Sequence, residues 1–232
     1  MRGLGTIVNI AAVIVGASAG ALLGERLGEK MRDALLGVIG LTTTIVGISY
    51  AITTKNVLIP LGSLLVGTMI GEAVGIERRL ESFAEWIESR VRMREATFVE
   101  GFVMASLVFC VGPMAILGSI NDGIRGDHQL LFLKSLLDAI AGMAFASTLG
   151  WGVSFSALTV LVYQGALTAI GALLGNIFSD PMITEMTAAG GILITGIGLK
   201  LLDLKHLRLG NMLPGIFIAP LVVYLLSLLG AH

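Results

Sequence analysis

Gly20-Ala-Leu-Leu-Gly24 and Gly171-Ala-Leu-Leu-Gly175 are the same five residues met twice, 151 positions apart. The register continues outward. Met31 lies over Met182, Gly40 over Gly191, Thr44 over Thr195 and Gly47 over Gly198, so 20–47 and 171–198 share nine identities in twenty-eight ungapped positions. A gap of three or four residues then brings Asn56-Val-Leu-Ile-Pro60 over Asn211-Met-Leu-Pro214. Each copy is two apolar stretches around a short polar turn, which reads as a helical hairpin. Duplicated hairpins of opposite sense are the usual construction of secondary transporters.

A chain of 232 residues with 55% hydrophobic and only 13% charged residues cannot hide its apolar surface in one soluble core. Its natural solvent is lipid. The formal net charge is −1 and no basic stripe or tail is present, so nucleic acid is not expected as a partner. A single cysteine, Cys110, rules out an intrachain disulfide and leaves no zinc pattern, and no metal or cofactor is expected. The first apolar stretch, Leu4 to Gly24, follows a lone Arg2 and contains small residues that imitate a cleavage site. As the first member of the repeat it reads as a retained span, not a signal peptide.

A helix needs about 20 apolar residues to cross the hydrocarbon. The chain divides into eight such segments: 4–24, 34–53, 57–75, 101–120, 130–149, 151–175, 182–203 and 212–230. The sharpest boundary is Ser179-Asp180-Pro181, where a capping carboxylate precedes a proline suited to the first helical turn. Orientation follows from the basic residues, which favour cytoplasmic loops. One side would hold Arg26, Lys30, Arg32, Arg78, Arg79, Arg90, Arg92, Arg94, Lys205 and Arg208; the other would hold Arg2, Lys55 and Arg125. Both termini are therefore expected outside, with loops 25–33, 76–100 and 204–211 in the cytoplasm.

Charge gives an independent test of the repeat. The loop inside the first copy, 25–33, carries three basic residues and its partner, 176–181, none; in the following loops the bias reverses, one at 53–56 against two at 204–211. The expected fold is an all-α polytopic membrane protein of about eight transmembrane helices, in which spans one to three and six to eight form a three-plus-three inverted repeat. The divisions are 1–75, the first repeat; 76–100, a surface helix; 101–150, central spans four and five; and 151–232, the second repeat. Within 76–100, Ile76, Leu80, Phe83, Ala84, Ile87 and Val91 recur at helical spacing. They describe an amphipathic helix on the cytoplasmic face, with a solvated connector as the alternative.

Ionisable groups inside spans are the most informative residues, because each costs about 2.5–3.5 kcal/mol near the helix centre. Lys134 and Asp138 lie four residues apart on span five, close enough to pair on one face. They either line a polar cavity or form a structural ion pair. Glu72 on span three and Glu185 at the start of span seven are further candidates, Glu185 also being suited to a helix N-terminus. Span four contains Cys110-Val-Gly-Pro-Met-Ala-Ile-Leu-Gly-Ser-Ile-Asn-Asp-Gly123, in which Pro113 removes a backbone donor and Gly112 eases a bend. A broken helix there would expose backbone dipoles at mid-depth. Asn9 and Gln164 add uncharged polar groups to spans one and six; in the repeat register Gln164 overlies Val13, one turn from Asn9, so that the two would face a shared pseudo-twofold axis. The expected pathway is Asn9, Glu72, Cys110, Pro113, Lys134, Asp138, Gln164 and Glu185.

Glycines at 16, 20 and 24, and at 67, 71 and 75, stack on single helix faces. Such faces permit close helix approach, first within the chain and alternatively at a dimer seam. Gly16-Ala-Ser-Ala-Gly20 satisfies the nucleophile-elbow spacing but lies in an apolar helix, and His128, His206 and His232 all fall at span ends or loops. No enzyme is expected.

Gly5-Thr-Ile-Val-Asn9, the central motif from Cys110 to Gly123, Gln164-Gly165 and Asn211-Met-Leu-Pro214 together resemble the prokaryotic membrane family catalogued as domain of unknown function 554. The likeness spans nearly the whole chain. It implies an inner-membrane location and a transport role, and brings no substrate or catalytic residues. The expectation is a small secondary transporter, coupled to protons or cations, that moves an ion or small polar solute. Its partners would be the bilayer, the solute and, as a homo-oligomer, a second copy in a dimer. An ion channel is the nearest alternative, and a scaffold whose surface helix recruits a cytoplasmic partner is the alternative of another class.

Overall fold

The computed structural model describes residues 2–91, 95–174 and 178–228, and among these it contains α-helices and no strand. In chain order they are α1 (Leu4–Gly24), α2 (Glu29–Ala51), α3 (Leu58–Val74), α4 (Ile76–Val91), α5 (Phe98–Val111), α6 (Pro113–Arg125), α7 (Gln129–Leu149), α8 (Gly152–Phe155), α9 (Ala157–Leu174), α10 (Asp180–Leu201) and α11 (Pro214–Leu228), with a 3-10 turn at Leu209–Met212 before the last. Six runs are long and apolar enough to cross a membrane, and counting each bent pair, α3 with α4 and α5 with α6, as one span makes eight. The apolar segments of the sequence fall on these helices, the expected span 57–75 on α3 alone and not on the α3–α4 pair, and their ends follow local chemistry. Gly75, in the left-handed conformation at φ 69°, closes α3. Pro181 stands in the first turn of α10. There the N-cap is Ser179 and no side chain caps the helix, so Asp180 contributes through its charge at the N-terminus and not as the capping group expected of it. Span six runs through α8 and α9 as one 22-residue segment, Ser156 between them keeping right-handed helical dihedrals. Arg92 and Arg94 of the surface segment and the junction 175–177 lie outside the described residues.

Two compact units form, and they cut across the contiguous divisions 1–75, 76–100, 101–150 and 151–232. The first gathers residues 1–39, 80–110 and 114–177; the second gathers 40–79, 111–113 and 178–232. Distant packing causes the interleaving. In the first unit Gly16, Gly20 and Gly24 of α1 abut the backbones of Ala139, Met143 and Ser147 of α7, leaving no room for a Cβ at any of the three. Each pair is separated by 123 positions, so the two helices run parallel in contact over two turns. In the second unit Gly67 and Gly71 of α3 abut Gly215 and Asn211 in descending order, so α3 and α11 are antiparallel. Both glycine faces are filled from within the chain.

Helices α2 and α10 also meet in the second unit. Gly47 lies against Thr195 and the Gly191 carbonyl, while Gly198 lies against Thr44 and the Gly40 carbonyl. Gly191 likewise faces Ala51, and Gly40 faces Leu202. Under the 151-residue register each of these contacts maps onto another, with the two helices exchanged.

Outward faces are apolar: Val162 is 71% exposed, Met69 73% and Leu173 82%. Inward faces are mixed. Fully buried Phe98, Phe102 and Phe109 come from α5, yet Asn9, Asp122 and Gln164 are fully buried too. A surface more apolar than parts of its interior is the distribution expected of helices whose solvent is hydrocarbon. On α4, Ala84 and Ile87 are buried, and Phe83 leans edge-on against Phe102 at 5.9 Å between centroids. Trp86 stays half exposed beneath Arg90, 5.3 Å from its ring.

Candidate functional site

Four helices of the first unit each present two buried polar side chains three or four residues apart, which places each pair on one helix face. They are Thr6 and Asn9 on α1, Ser119 and Asp122 on α6, Lys134 and Asp138 on α7, and Gln164 and Thr168 on α9. The α5–α6 junction makes the α6 pair available. The chain bends there by 61° and α6 starts at Pro113, where a missing backbone N–H has no helical partner to lose. The Pro113 side chain itself lies outside the described residues.

At the centre is Asp138, the tenth of the 21 residues of α7 and thus near mid-depth. Lys134 forms a buried ion pair with its Oδ2, and Asn9 donates from Nδ2 to the same oxygen at 3.0 Å. Oδ1 receives neither bond. The Lys134 ammonium also lies 5.9 Å from the Phe109 ring, a cation–π distance, and Cys110 beside it stands in the field of the pair. The Thr6 and Thr168 hydroxyls meet at 3.5 Å and those of Ser18 and Ser154, the latter on α8, at 3.4 Å, so α1 runs antiparallel to α8 and α9 with Asn9 level with Gln164. Among the described residues, Asn9 Oδ1, both amide atoms of Gln164 and Ser119 Oγ are buried without a hydrogen-bond partner. Orphaned polar groups at such depth each cost about 1–3 kcal/mol. Their retention calls for a ligand or water to satisfy them.

Toward the start of α1, Asp122 accepts from Gly3 N–H at 3.2 Å and Gly5 N–H at 3.1 Å, capping α1 from a helix more than a hundred positions away, and His128 Nδ1 lies 3.3 Å from it. Sequence reasoning missed Asp122 as a site residue, along with Ser119, Thr6 and Thr168. The available signal was the polar run Ser119-Ile-Asn-Asp122, which at a span end looks like a loop.

The expected pathway residues thus separate. Asn9, Lys134 and Asp138 are brought into contact, Gln164 to the same level and Cys110 alongside. Glu185 and Glu72 belong to the second unit. Glu185 is buried and accepts Thr54 Oγ1–H, at 2.9 Å and 2.7 Å to its two oxygens. Glu72 is partly exposed and pairs with Arg208 at 3.1 Å. Asn211, in the Asn-Met-Leu-Pro element, accepts Glu77 N–H at 2.8 Å while Gly210 N–H donates to the Glu77 carboxylate at 3.0 Å, joining the 3-10 turn to the start of α4. No three His, Cys, Asp or Glu among the described residues converge as metal ligands. A cation in the polar column would have one carboxylate and neutral oxygens around it.

The chain is similar to an uncharacterized membrane protein of Bacillus subtilis, YdfK, at 29% identity over 231 residues, which cover 97% of this chain and 98% of the relative. It is similar to an uncharacterized Escherichia coli protein, YqgA, at 30% identity over 221 residues, 93% of this chain and 94% of the other. A protein of Syntrophotalea carbinolica named "Putative manganese efflux pump MntP" is 24% identical over 143 residues, 57% of this chain and 76% of its own length. No solved structure matches the chain. Residues 4–224 match the family described as "Protein of unknown function (DUF554)", and the chain, a multi-pass membrane protein by its helices and by its kinship, belongs to that family.

Proposed function

We propose that this protein is a small secondary transporter that moves an ion or small polar solute across the cytoplasmic membrane, coupled to protons or cations. Both termini face outward in this reading, and spans one to three oppose spans six to eight as inverted halves. The observation that carries it is the buried polar column, in which an ion pair and unsatisfied amides lie at mid-depth on helices with apolar outer faces. Packing alone gives no reason to keep such groups, whereas a passing solute that needs polar partners does. The 61° bend between α5 and α6 supports it too, since transport sites are often built at broken helices. The exchange of matched contacts between α2 and α10 supports the inverted halves. The distant likeness to a protein named as a manganese efflux pump supports a cation as the first cargo to test.

Flux into proteoliposomes tests the reading, with labelled Mn2+ and Na+ outside and a pH dye inside. Parent protein is expected to accumulate a label, and an Asp138→Asn or Lys134→Ala variant that reconstitutes normally is expected to lose at least about tenfold of that rate, as for removal of a group contributing about 1.4 kcal/mol or more. No flux of any solute would favour the scaffold. Parent-like rates in both variants would remove the column from the pathway.

A further inference from the structure

Among the described residues, three charged side chains are buried in the first unit: Asp122, Lys134 and Asp138. They sum to one surplus negative charge. Two N–H groups at the start of α1 relieve Asp122 in part, but a buried site with two carboxylates and one ammonium is complementary to one more cation.

Three acceptor oxygens are available on α7, α1 and α9. Asp138 offers Oδ1, and Asn9 Oδ1 and Gln164 Oε1 are buried acceptors without a donor among the described residues. Carboxylate and amide oxygens select hard cations. Lys134 would compete with such an ion for the same carboxylate, since its ammonium sits on Asp138 Oδ2, 5.9 Å from the centre of the Phe109 ring.

A second acceptor for that ammonium stands one turn outward. A Cβ placed on Gly5 would lie 2.7 Å from Leu131 Cβ and 3.1 Å from Asp122 Oδ2, so the Asp122 carboxylate borders α7 at Leu131, three residues before Lys134. One turn is about 5.4 Å along the axis, within reach of the flexible four-carbon stem of a lysine.

We propose that Asp138, with the amide oxygens of Asn9 and Gln164, is a binding site for a small hard cation; that Lys134 fills it when no cation is bound; and that loading sends the ammonium outward to Asp122. The proposal deepens the transporter reading and rests on it for a physiological purpose. Every carboxylate then faces a positive charge in the loaded state, and Lys134 acts as a tethered competitor. No proton is gained or lost in the exchange.

Mn2+ binding to the full-length protein in nanodiscs, followed by loss of the free-ion EPR signal, tests it. Lys134→Gln removes the competitor and is expected to tighten binding at least about tenfold. Lys134→Arg holds Asp138 through a planar fork and is expected to weaken binding at least about tenfold, while Asp138→Asn abolishes it. A merely structural lysine would move both Lys134 variants the same way, so Gln equal to or weaker than the parent overturns the proposal, as does absence of binding to both. Should the Gln variant fail to fold, an Arg variant binding as tightly as the parent overturns it alone. Parent flux of any solute without this pattern leaves the transporter standing and removes the cation site; the pattern without flux of any solute does the reverse.

Discussion

At the scale of single residues, the ion pair on α7 shows how burial converts composition into constraint. Removing one partner of a buried pair strands the other and costs about 3–5 kcal/mol, whereas replacing both with apolar groups is often neutral. The Lys134→Met, Asp138→Leu double variant is therefore expected to melt nearer the parent than Asp138→Asn does, while remaining unable to transport; thermal unfolding in detergent and proteoliposome flux read the two outcomes separately. Asp122 makes a different prediction. It accepts two backbone N–H groups of α1, so Asp122→Ala is expected to destabilise by about 1–2 kcal/mol and Asp122→Asn by less, since an amide oxygen still caps. Lys134 and Asp138 were legible in the sequence because a charge inside an apolar run violates hydropathy. Asp122 was not, because a polar residue at the end of a run violates nothing; only the fold reveals that it is fully buried.

Helices obey the spacing of their small residues. The four-residue interval of Gly16, Gly20 and Gly24 announced a close contact, and α7 supplies the surface against it, backbone to backbone. Substituting Gly20 by Val forces two branched methyl groups into the Met143 backbone, so a loss well above the usual 1–3 kcal/mol of overpacking is expected; a fall in melting temperature or aggregation on size exclusion would register it, and an unchanged profile would refute the packing. On α2 and α10 the repeat adds symmetry. Gly47→Leu and Gly198→Leu enter matched surroundings, so the two are expected to destabilise by similar amounts, within about 0.5 kcal/mol, as equivalent environments give equivalent cavity and strain terms. The break at Pro113 was readable from a missing donor, and the chain bends there by 61°.

For the molecule as a whole, orientation is the prediction that matters most. On a Cys110→Ala background, Glu29→Cys and Ser179→Cys are expected on opposite sides of the membrane, as the inverted arrangement requires. A membrane-impermeant maleimide applied to spheroplasts distinguishes them, with Ser179→Cys labelled and Glu29→Cys protected. Labelling of both from one side would remove the inverted halves and the transport geometry built on them.

Composition and hydropathy along the chain determined the all-helical membrane class and the eight apolar runs, because every backbone group in hydrocarbon must bond within its own helix and that requirement is local. The pairing of helices was decided only by the tertiary structure. Whether Gly20 meets Met143, whether Asp122 caps α1, and whether Asn9 reaches Asp138 depend on contacts across more than a hundred residues. Helical periodicity states which face a residue occupies but not what lies opposite. For the same reason the division into two units could not be read along the chain: α1 finds its longest contact with α7 and not with its neighbour α2, since close packing depends on the fit of small residues to a bare backbone and not on proximity in sequence.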